Sequence, residues 1–78
     1  MRAKTIHKVN YRDMDLIKRI QYSDNQVMVP RPNTKDIERG DHLLINYTDS
    51  VSKQRLSIVR VIEEVGEQYI WIRKIKKP

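Results

Sequence analysis

The sequence contains no cysteine and only two glycines. Without cysteine there is no disulfide scaffold, no cysteine-based zinc site and no thiol nucleophile. Two isolated glycines, Gly40 and Gly66, cannot form the glycine-rich loops that cradle phosphate groups. No stretch approaches the roughly 20 consecutive apolar residues that a membrane-spanning helix needs. We therefore expect a soluble cytoplasmic protein with no membrane segment, no metal site and no cofactor.

Alanine, the best helix former, occurs once, whereas ten isoleucines and seven valines dominate the apolar residues. Side chains branched at Cβ suit a pleated sheet and lose rotamer freedom in a helix. The composition therefore predicts a mostly β protein. At 78 residues the chain has room for one domain with a small core. We expect residues 1–75 to form that domain and residues 76–78 to be a basic tail.

Three strands are predicted in the second half of the chain, at residues 42–48, 55–65 and 68–75. The short connections between them indicate a meander, and Gly66-Glu67 fits a two-residue hairpin turn with glycine first. The middle strand is apolar on both faces, which is typical of barrel closure or of self-association as a homodimer. A further short edge strand is predicted at residues 4–9.

Residues 13–22 fit two interpretations. In a helix, Asp13 would cap the N-terminus and an apolar stripe would follow. In a strand, the same residues would form the first arm of a β-hairpin. The turn formers at 23–26 and the apolar residues at 27–29 favour the hairpin.

Prolines end the first half of the predicted sheet, because a proline cannot donate a hydrogen bond to a neighbouring strand. Residues 34–39 are then predicted to form one short helical turn, with Ile37 pointing inward and Gly40 in the left-handed closing position. Five or six short strands predict a small, partly closed antiparallel barrel of the SH3-like or PUA-like type, because closure removes exposed sheet edges.

Residues 36–45 carry an apolar residue, two variable residues, Gly-Asp and then a buried strand. This arrangement resembles the start of a central strand in several small β-barrels. They include PUA-like and ASCH-type RNA-binding domains and the SH3-like barrel of ribonuclease toxins of the toxin–antitoxin kind. The resemblance is confined to these ten positions and implies a tight turn before the strand. It assigns no functional residue to this sequence.

The residues that carry chemistry in enzymes are few and scattered. His7 and His42 lie far apart in the sequence, with Asp41 beside the second, whereas zinc needs three or four convergent ligands. We therefore expect both histidines at the surface or at strand ends. Adjacent Glu63 and Glu64 would point to opposite faces of a strand unless a bulge intervenes. An enzyme is not expected, and a ribonuclease-like activity is the only enzymatic alternative kept open.

The basic character of the chain is its most informative functional feature. The net charge is +6 at pH 7, and residues 73–77 supply four of those positive charges. Tyr69, Trp71 and Arg73 alternate along the last strand and so share one face, while Ile70 and Ile72 share the other. If the isoleucines face the core, the aromatic residues face outward, as on a base-stacking platform.

Two functions follow from this surface. The first is binding of RNA or single-stranded DNA, with cations contacting the backbone and aromatic rings stacking on bases. The second is a protein-binding regulator or inhibitor, an accessory factor of the kind found in viruses and mobile elements, because Trp, Tyr and Arg also dominate protein interfaces. Burial of Trp71 in the core is the structural alternative to both. The candidate contact residues are Tyr69, Trp71, Arg73, Lys74, Lys76, Lys77, Arg60 and Tyr47.

Overall fold

The computed structural model describes residues 5–34 and 36–75. The elements follow in the order β1 (Ile6–Asn10), α1 (Met14–Tyr22), β2 (Val27–Pro30), β3 (His42–Thr48), β4 (Arg55–Val65) and β5 (Tyr69–Arg73). The strands form one sheet in the order β1-β3-β4-β5-β2, and the sheet is not closed. The predicted mostly β class is confirmed. The predicted basic tail, 76–78, lies outside the described residues.

The sheet departs from the expected all-antiparallel arrangement at one edge. Strand β1 pairs with β3 in parallel, with Ile6 opposite His42 and Asn10 opposite Asn46. The other three pairings are antiparallel. A parallel pair needs a long crossover between its strands. Here the segment between Asn10 and His42 supplies it, and it contains both α1 and β2.

Residues 14–22 form a helix, so the favoured hairpin is wrong and the helical alternative is correct. Asp13 caps the helix, because its Oδ1 accepts hydrogen bonds from the backbone N–H groups of Asp15 and Leu16 at 3.0 and 3.3 Å. The buried stripe consists of Leu16, Ile17 and Ile20. Tertiary packing decides the outcome, because the apolar face of the sheet needs a covering layer and this stripe provides it.

The sheet face that packs against α1 is called the inner face. Alternate residues of each strand point to it, and they form the core together with the helix stripe. Burying each of these large aliphatic side chains contributes roughly 1.5–3 kcal/mol. The buried apolar strand residues on the inner face are Val29, Leu43, Ile45, Tyr47, Ile58, Ile62, Ile70 and Ile72.

The predicted helical turn at 34–39 is wrong for the residues that the structure describes there, namely 34 and 36–39, because none of them is helical. Ile37 is buried in the core as expected, and Gly40 has the expected positive φ, +93°. The side chain of Asp41 holds this segment in a turn that is not helical. The Oδ2 atom of Asp41 accepts the backbone N–H of Glu38 at 3.0 Å, which closes a turn directly before β3.

The connection between β4 and β5 also differs from the expected two-residue turn. It contains three residues, 66–68, and Gly66 does not have the positive φ that the predicted turn requires. The pairing register shifts between Ile62 and Glu64, which places a bulge at Glu63. Because of the bulge, Glu63 and Glu64 do not alternate across the sheet as expected. Glu64 pairs opposite Trp71 while Glu63 contacts Arg73.

Candidate functional site

The sheet face opposite α1, called the outer face, is open to solvent. Four large apolar residues on it are exposed by two fifths or more of their surface, and they belong to four different strands. The four residues are Ile6, Met28, Val59 and Tyr69. Val59, Tyr69 and Met28 lie on the adjacent strands β4, β5 and β2, whereas Ile6 lies on β1 at the other edge of the sheet.

The aromatic residues of β5 lie on this outer face, as the alternation predicted. Ile70 and Ile72 are fully buried on the inner face, and Tyr69 is 43% exposed. Trp71 is half-buried, so it belongs neither wholly to the core nor wholly to the solvent. Tyr69 pairs opposite Pro30 and Trp71 opposite Met28 on β2. Tyr69, Trp71 and Met28 are called the aromatic strip.

Because Gly66 has no side chain, the backbone of Tyr69 can approach it closely. Its N–H donates to the carbonyl oxygen of Tyr69 at 2.8 Å. A Cβ atom at position 66 would lie 2.8 Å from that oxygen and 3.4 Å from the Cζ3 atom of Trp71. The first distance is shorter than van der Waals contact allows, so a larger residue at this position would displace the strip.

Charged residues border the strip and are paired with each other. The Nε atom of Arg73 lies 2.9 Å from Oε1 of Glu63, an ion-pair contact that is not aligned as a hydrogen bond. Gln26 donates to the same carboxylate oxygen at 3.0 Å. Lys74 pairs with Asp24 at 2.9 Å. The Lys74–Asp24 pair is open to water and contributes about 0–1 kcal/mol, whereas the Arg73–Glu63 pair is less exposed and the Nε atom of Arg73 is buried.

Two of the predicted contact residues, Arg60 and Tyr47, lie on the inner face, away from the strip. Arg60 lies on the inner side of β4, where its Nη2 group donates to the carbonyl oxygen of Ile20 at 3.1 Å, near the C-terminus of α1. Burial lowers the pKa of Arg60. Tyr47 is buried on β3, and its hydroxyl accepts a hydrogen bond from Gln21 at 2.5 Å. Both residues join helix to sheet. The predicted contact residues Lys76 and Lys77 lie outside the described residues.

The structure also contains a cleft that was not predicted from the sequence. A cleft of about 540 Å³ opens where β1 ends, β3 ends and β4 begins. Strand ends far apart in the sequence meet there, so no local motif could have indicated it. Its polar lining includes Asn10, Arg12, Asn46, Thr48, Arg55 and Ser57. We call it the arginine cleft.

Two tyrosines also line the arginine cleft. The buried ring of Tyr47 is one, and Tyr11 is the other. The hydroxyl of Tyr11 donates to the carbonyl oxygen of Pro30 at 2.9 Å, and burial raises its pKa to about 12. Tyr11 adds an uncharged aromatic side chain to the lining of the cleft.

The expectation that both histidines lie at the surface or at strand ends is wrong for His7, which is inside β1 and only 7% exposed. Its Nε2 atom lies 2.9 Å from Oδ2 of Asp41, which is itself buried. His42, half-buried, begins β3 as expected. The described residues contain no group of three or more His, Asp or Glu side chains arranged to hold a metal ion. We therefore interpret the His7–Asp41 pair as a structural link between β1 and the turn before β3.

Comparison with protein-family models, with curated proteins and with solved structures finds no match to this chain. Function is therefore inferred from the surfaces of the protein. Within residues 5–34 and 36–75, no helix has the length and apolar character needed to cross a lipid bilayer.

Proposed function

We propose that this protein binds single-stranded nucleic acid across the outer face of its sheet. One observation carries the proposal. Tyr69 and Trp71 lie two residues apart on a solvent-open face, in a chain with a net charge of +6. Aromatic side chains on a sheet surface stack on unpaired bases, and a cationic protein attracts the phosphate backbone.

The spacing of the two rings suits successive bases. Residues i and i+2 of a strand are separated by roughly 6.6 Å and point the same way. Each base stacked on an aromatic ring contributes about 1–3 kcal/mol. Two stacked bases would therefore supply about 2–6 kcal/mol, a useful fraction of the binding free energy of a micromolar complex, which is about 8 kcal/mol.

The distribution of charged residues indicates how the nucleic-acid strand would lie on the outer face. The aromatic strip itself is not basic, because Glu64 pairs opposite Trp71. Cations lie on either side of it, with Lys74 following β5 and Arg55 at the far end of β4. From Glu64 to Arg55, β4 runs for roughly 30 Å. We expect the bases to stack at the strip while the phosphates follow β4 towards Arg55.

A tyrosine substitution tests the stacking role directly. Tyr69→Ser removes one ring from the strip, and we expect it to weaken binding of a single-stranded oligonucleotide of about ten nucleotides by roughly tenfold. The matched control is Tyr22→Ser, which removes a tyrosine that is 80% exposed at the end of α1. Fluorescence anisotropy of a labelled oligonucleotide measures both affinities. Equal affinities for the two variants would rule out stacking at Tyr69.

A protein-binding regulator is the second candidate, and a specific observation favours it. Ile6, Met28 and Val59 provide exposed aliphatic and thioether surface on the same face, and such side chains contact other proteins more readily than they contact bases. A stoichiometric complex that survives nuclease treatment and is lost in Met28→Ser would support this function. A complex that disappears on nuclease treatment would support nucleic-acid binding instead.

A further inference from the structure

The arginine cleft exists because paired strands end at different places. Strand β1 stops at Asn10, opposite Asn46, whereas β3 continues to Thr48. One additional backbone hydrogen bond, from Tyr11 N–H to the carbonyl oxygen of Asn46 at 3.3 Å, extends the contact before the chain turns into α1. Among the residues that the structure describes, Tyr47 and Thr48 therefore have no strand paired with them on that side, and the cleft lies there.

Two arginines give the cleft an uncompensated positive charge. Arg12 and Arg55 are both exposed and line the cleft. Neither makes an ion pair or a side-chain hydrogen bond with any other residue in the described part of the chain. No aspartate or glutamate is among the described residues that line the cleft. Asp13, the neighbour of Arg12 in the sequence, uses its carboxylate to cap α1.

Neutral hydrogen-bond donors lie beside the two arginines. Asn10 and Asn46 pair across β1 and β3, and Asn46 also lies opposite Ser57 on β4. The Oδ1 atom of Asn46 accepts the Ser57 hydroxyl at 2.7 Å. This bond fixes the orientation of the amide and leaves its Nδ2 hydrogens available, because no described residue accepts from them. The amide of Asn10 is exposed and available as well.

We propose that the arginine cleft binds the phosphate group of a nucleotide. Guanidinium groups match phosphate oxygens in geometry and charge, and asparagine amides donate to the oxygens that remain. The cleft volume of about 540 Å³ exceeds what a phosphate needs. Leu56 also lines the cleft, on the inner-face side opposite Tyr47, and its partly exposed side chain offers apolar surface to the nucleoside.

This site is separate from the aromatic strip, which is formed by β5 and β2. The phosphate that binds in the cleft can belong to a free mononucleotide or to the end of a bound nucleic-acid strand. Arg55 belongs to the cleft and also ends the path proposed for the phosphates, so binding of a strand's terminal phosphate rests on the proposed function, whereas binding of a free mononucleotide does not. The chemistry recognised is the same in both cases. The experiment below separates them.

The test is NMR titration of the full chain, following the side-chain amide signals of Asn10 and Asn46. The probes are adenosine 5′-monophosphate, adenosine and inorganic phosphate. We expect the monophosphate to shift both amide signals, adenosine to leave them unchanged, and inorganic phosphate to bind at least about tenfold more weakly than the monophosphate. Equal binding of inorganic phosphate would overturn the assignment to a nucleotide.

The double variant Arg12→Gln/Arg55→Gln tests the arginines. Loss of one charge-assisted hydrogen bond costs about tenfold in affinity, so we expect a reduction of tenfold or more. The control is Arg19→Gln/Arg39→Gln, which removes the same net charge from exposed arginines outside the cleft. Equal losses in the two double variants would contradict a defined site, because only general electrostatic attraction would then remain.

The source of the nucleotide is settled by a pair of oligonucleotides, one with a 5′-phosphate and one with a 5′-hydroxyl. Shifts of the Asn10 and Asn46 amides with the phosphorylated strand but not with the monophosphate identify a strand end as the ligand. Shifts with the monophosphate identify a free nucleotide. Unchanged amides with every probe would overturn the proposal. That result would leave the binding of bases at Tyr69 untouched, because Tyr69 is tested by its own variant.

Discussion

The buried carboxylate of Asp41 joins three parts of the chain, and its removal is the most informative test of the fold. Asp41 is only 2% exposed. Its Oδ1 accepts the backbone N–H of Thr5 at 3.3 Å, and its Oδ2 lies 2.9 Å from His7 and accepts the N–H of Glu38 at 3.0 Å. Asp41→Ala leaves these groups without their acceptor.

The expected cost follows from the environment of each partner. A buried donor left unpaired costs about 1–3 kcal/mol, and His7 is the most deeply buried of the three. The backbone groups of Thr5 and Glu38 are only partly buried, so water can satisfy them in part. We therefore expect Asp41→Ala to lower the free energy of unfolding by about 3 kcal/mol. That is a large part of the roughly 4–12 kcal/mol typical of a domain of this size.

Thermal unfolding followed by circular dichroism measures this change. For a domain of fewer than 100 residues, about 3 kcal/mol corresponds to a fall in Tm of roughly 12–24 °C. The control is Asp24→Ala, which removes an exposed carboxylate paired with Lys74 and should cost less than about 1 kcal/mol. If Asp41→Ala lowers Tm no more than Asp24→Ala does, the buried network does not stabilise the fold as argued here.

Three further predictions concern single positions. Gly66→Ala should destabilise the protein by about 1–3 kcal/mol and change the fluorescence emission of Trp71, because the added Cβ collides with the carbonyl oxygen of Tyr69. An unchanged emission spectrum and an unchanged denaturation midpoint would refute this close approach. Asp13→Ala should cost about 1 kcal/mol by removing the cap of α1, measured as a lower urea midpoint, and Asp13→Asn should retain most of that stability. The raised pKa of Tyr11, about 12, means that folding favours the protonated phenol. Its contribution is complete below about pH 10 and is lost between about pH 10 and pH 12, so wild type should lose stability over that range more steeply than Tyr11→Phe does.

The strands of the second half could be predicted because their signals are local. In β4 and β5, side chains branched at Cβ alternate or run together over enough residues to favour a strand over a helix. The same alternation predicted that Tyr69 and Trp71 lie on one face of β5, and Ile70 and Ile72 on the other. In β3 the local signal is the apolar run of Leu43, Leu44 and Ile45 followed by Tyr47. Helix α1 was harder to predict, because only three residues form its apolar stripe. The capping signal of Asp13 was present, but the turn formers that follow the helix favoured a hairpin.

The remaining features depend on contacts that are distant in sequence. His7 and Asp41 meet because β1 pairs in parallel with β3, and nothing in either local sequence indicates that pairing. The bulge at Glu63 changes which face an acidic side chain reaches, and bulges leave no fixed pattern in a sequence. Arg12 and Arg55 were not selected as site residues for the same reason, since only the folded sheet brings them to one cleft.

Trp71 is the single tryptophan of the chain. Its fluorescence therefore tests directly whether single-stranded nucleic acid binds at the outer face. The measurement is titration with a single-stranded oligonucleotide at several salt concentrations between about 50 and 200 mM. We predict saturable quenching, with a log–log salt dependence near −3 if about four phosphates are contacted. Emission that stays constant at the lowest salt, with both RNA and DNA, would contradict binding of single-stranded nucleic acid at the outer face.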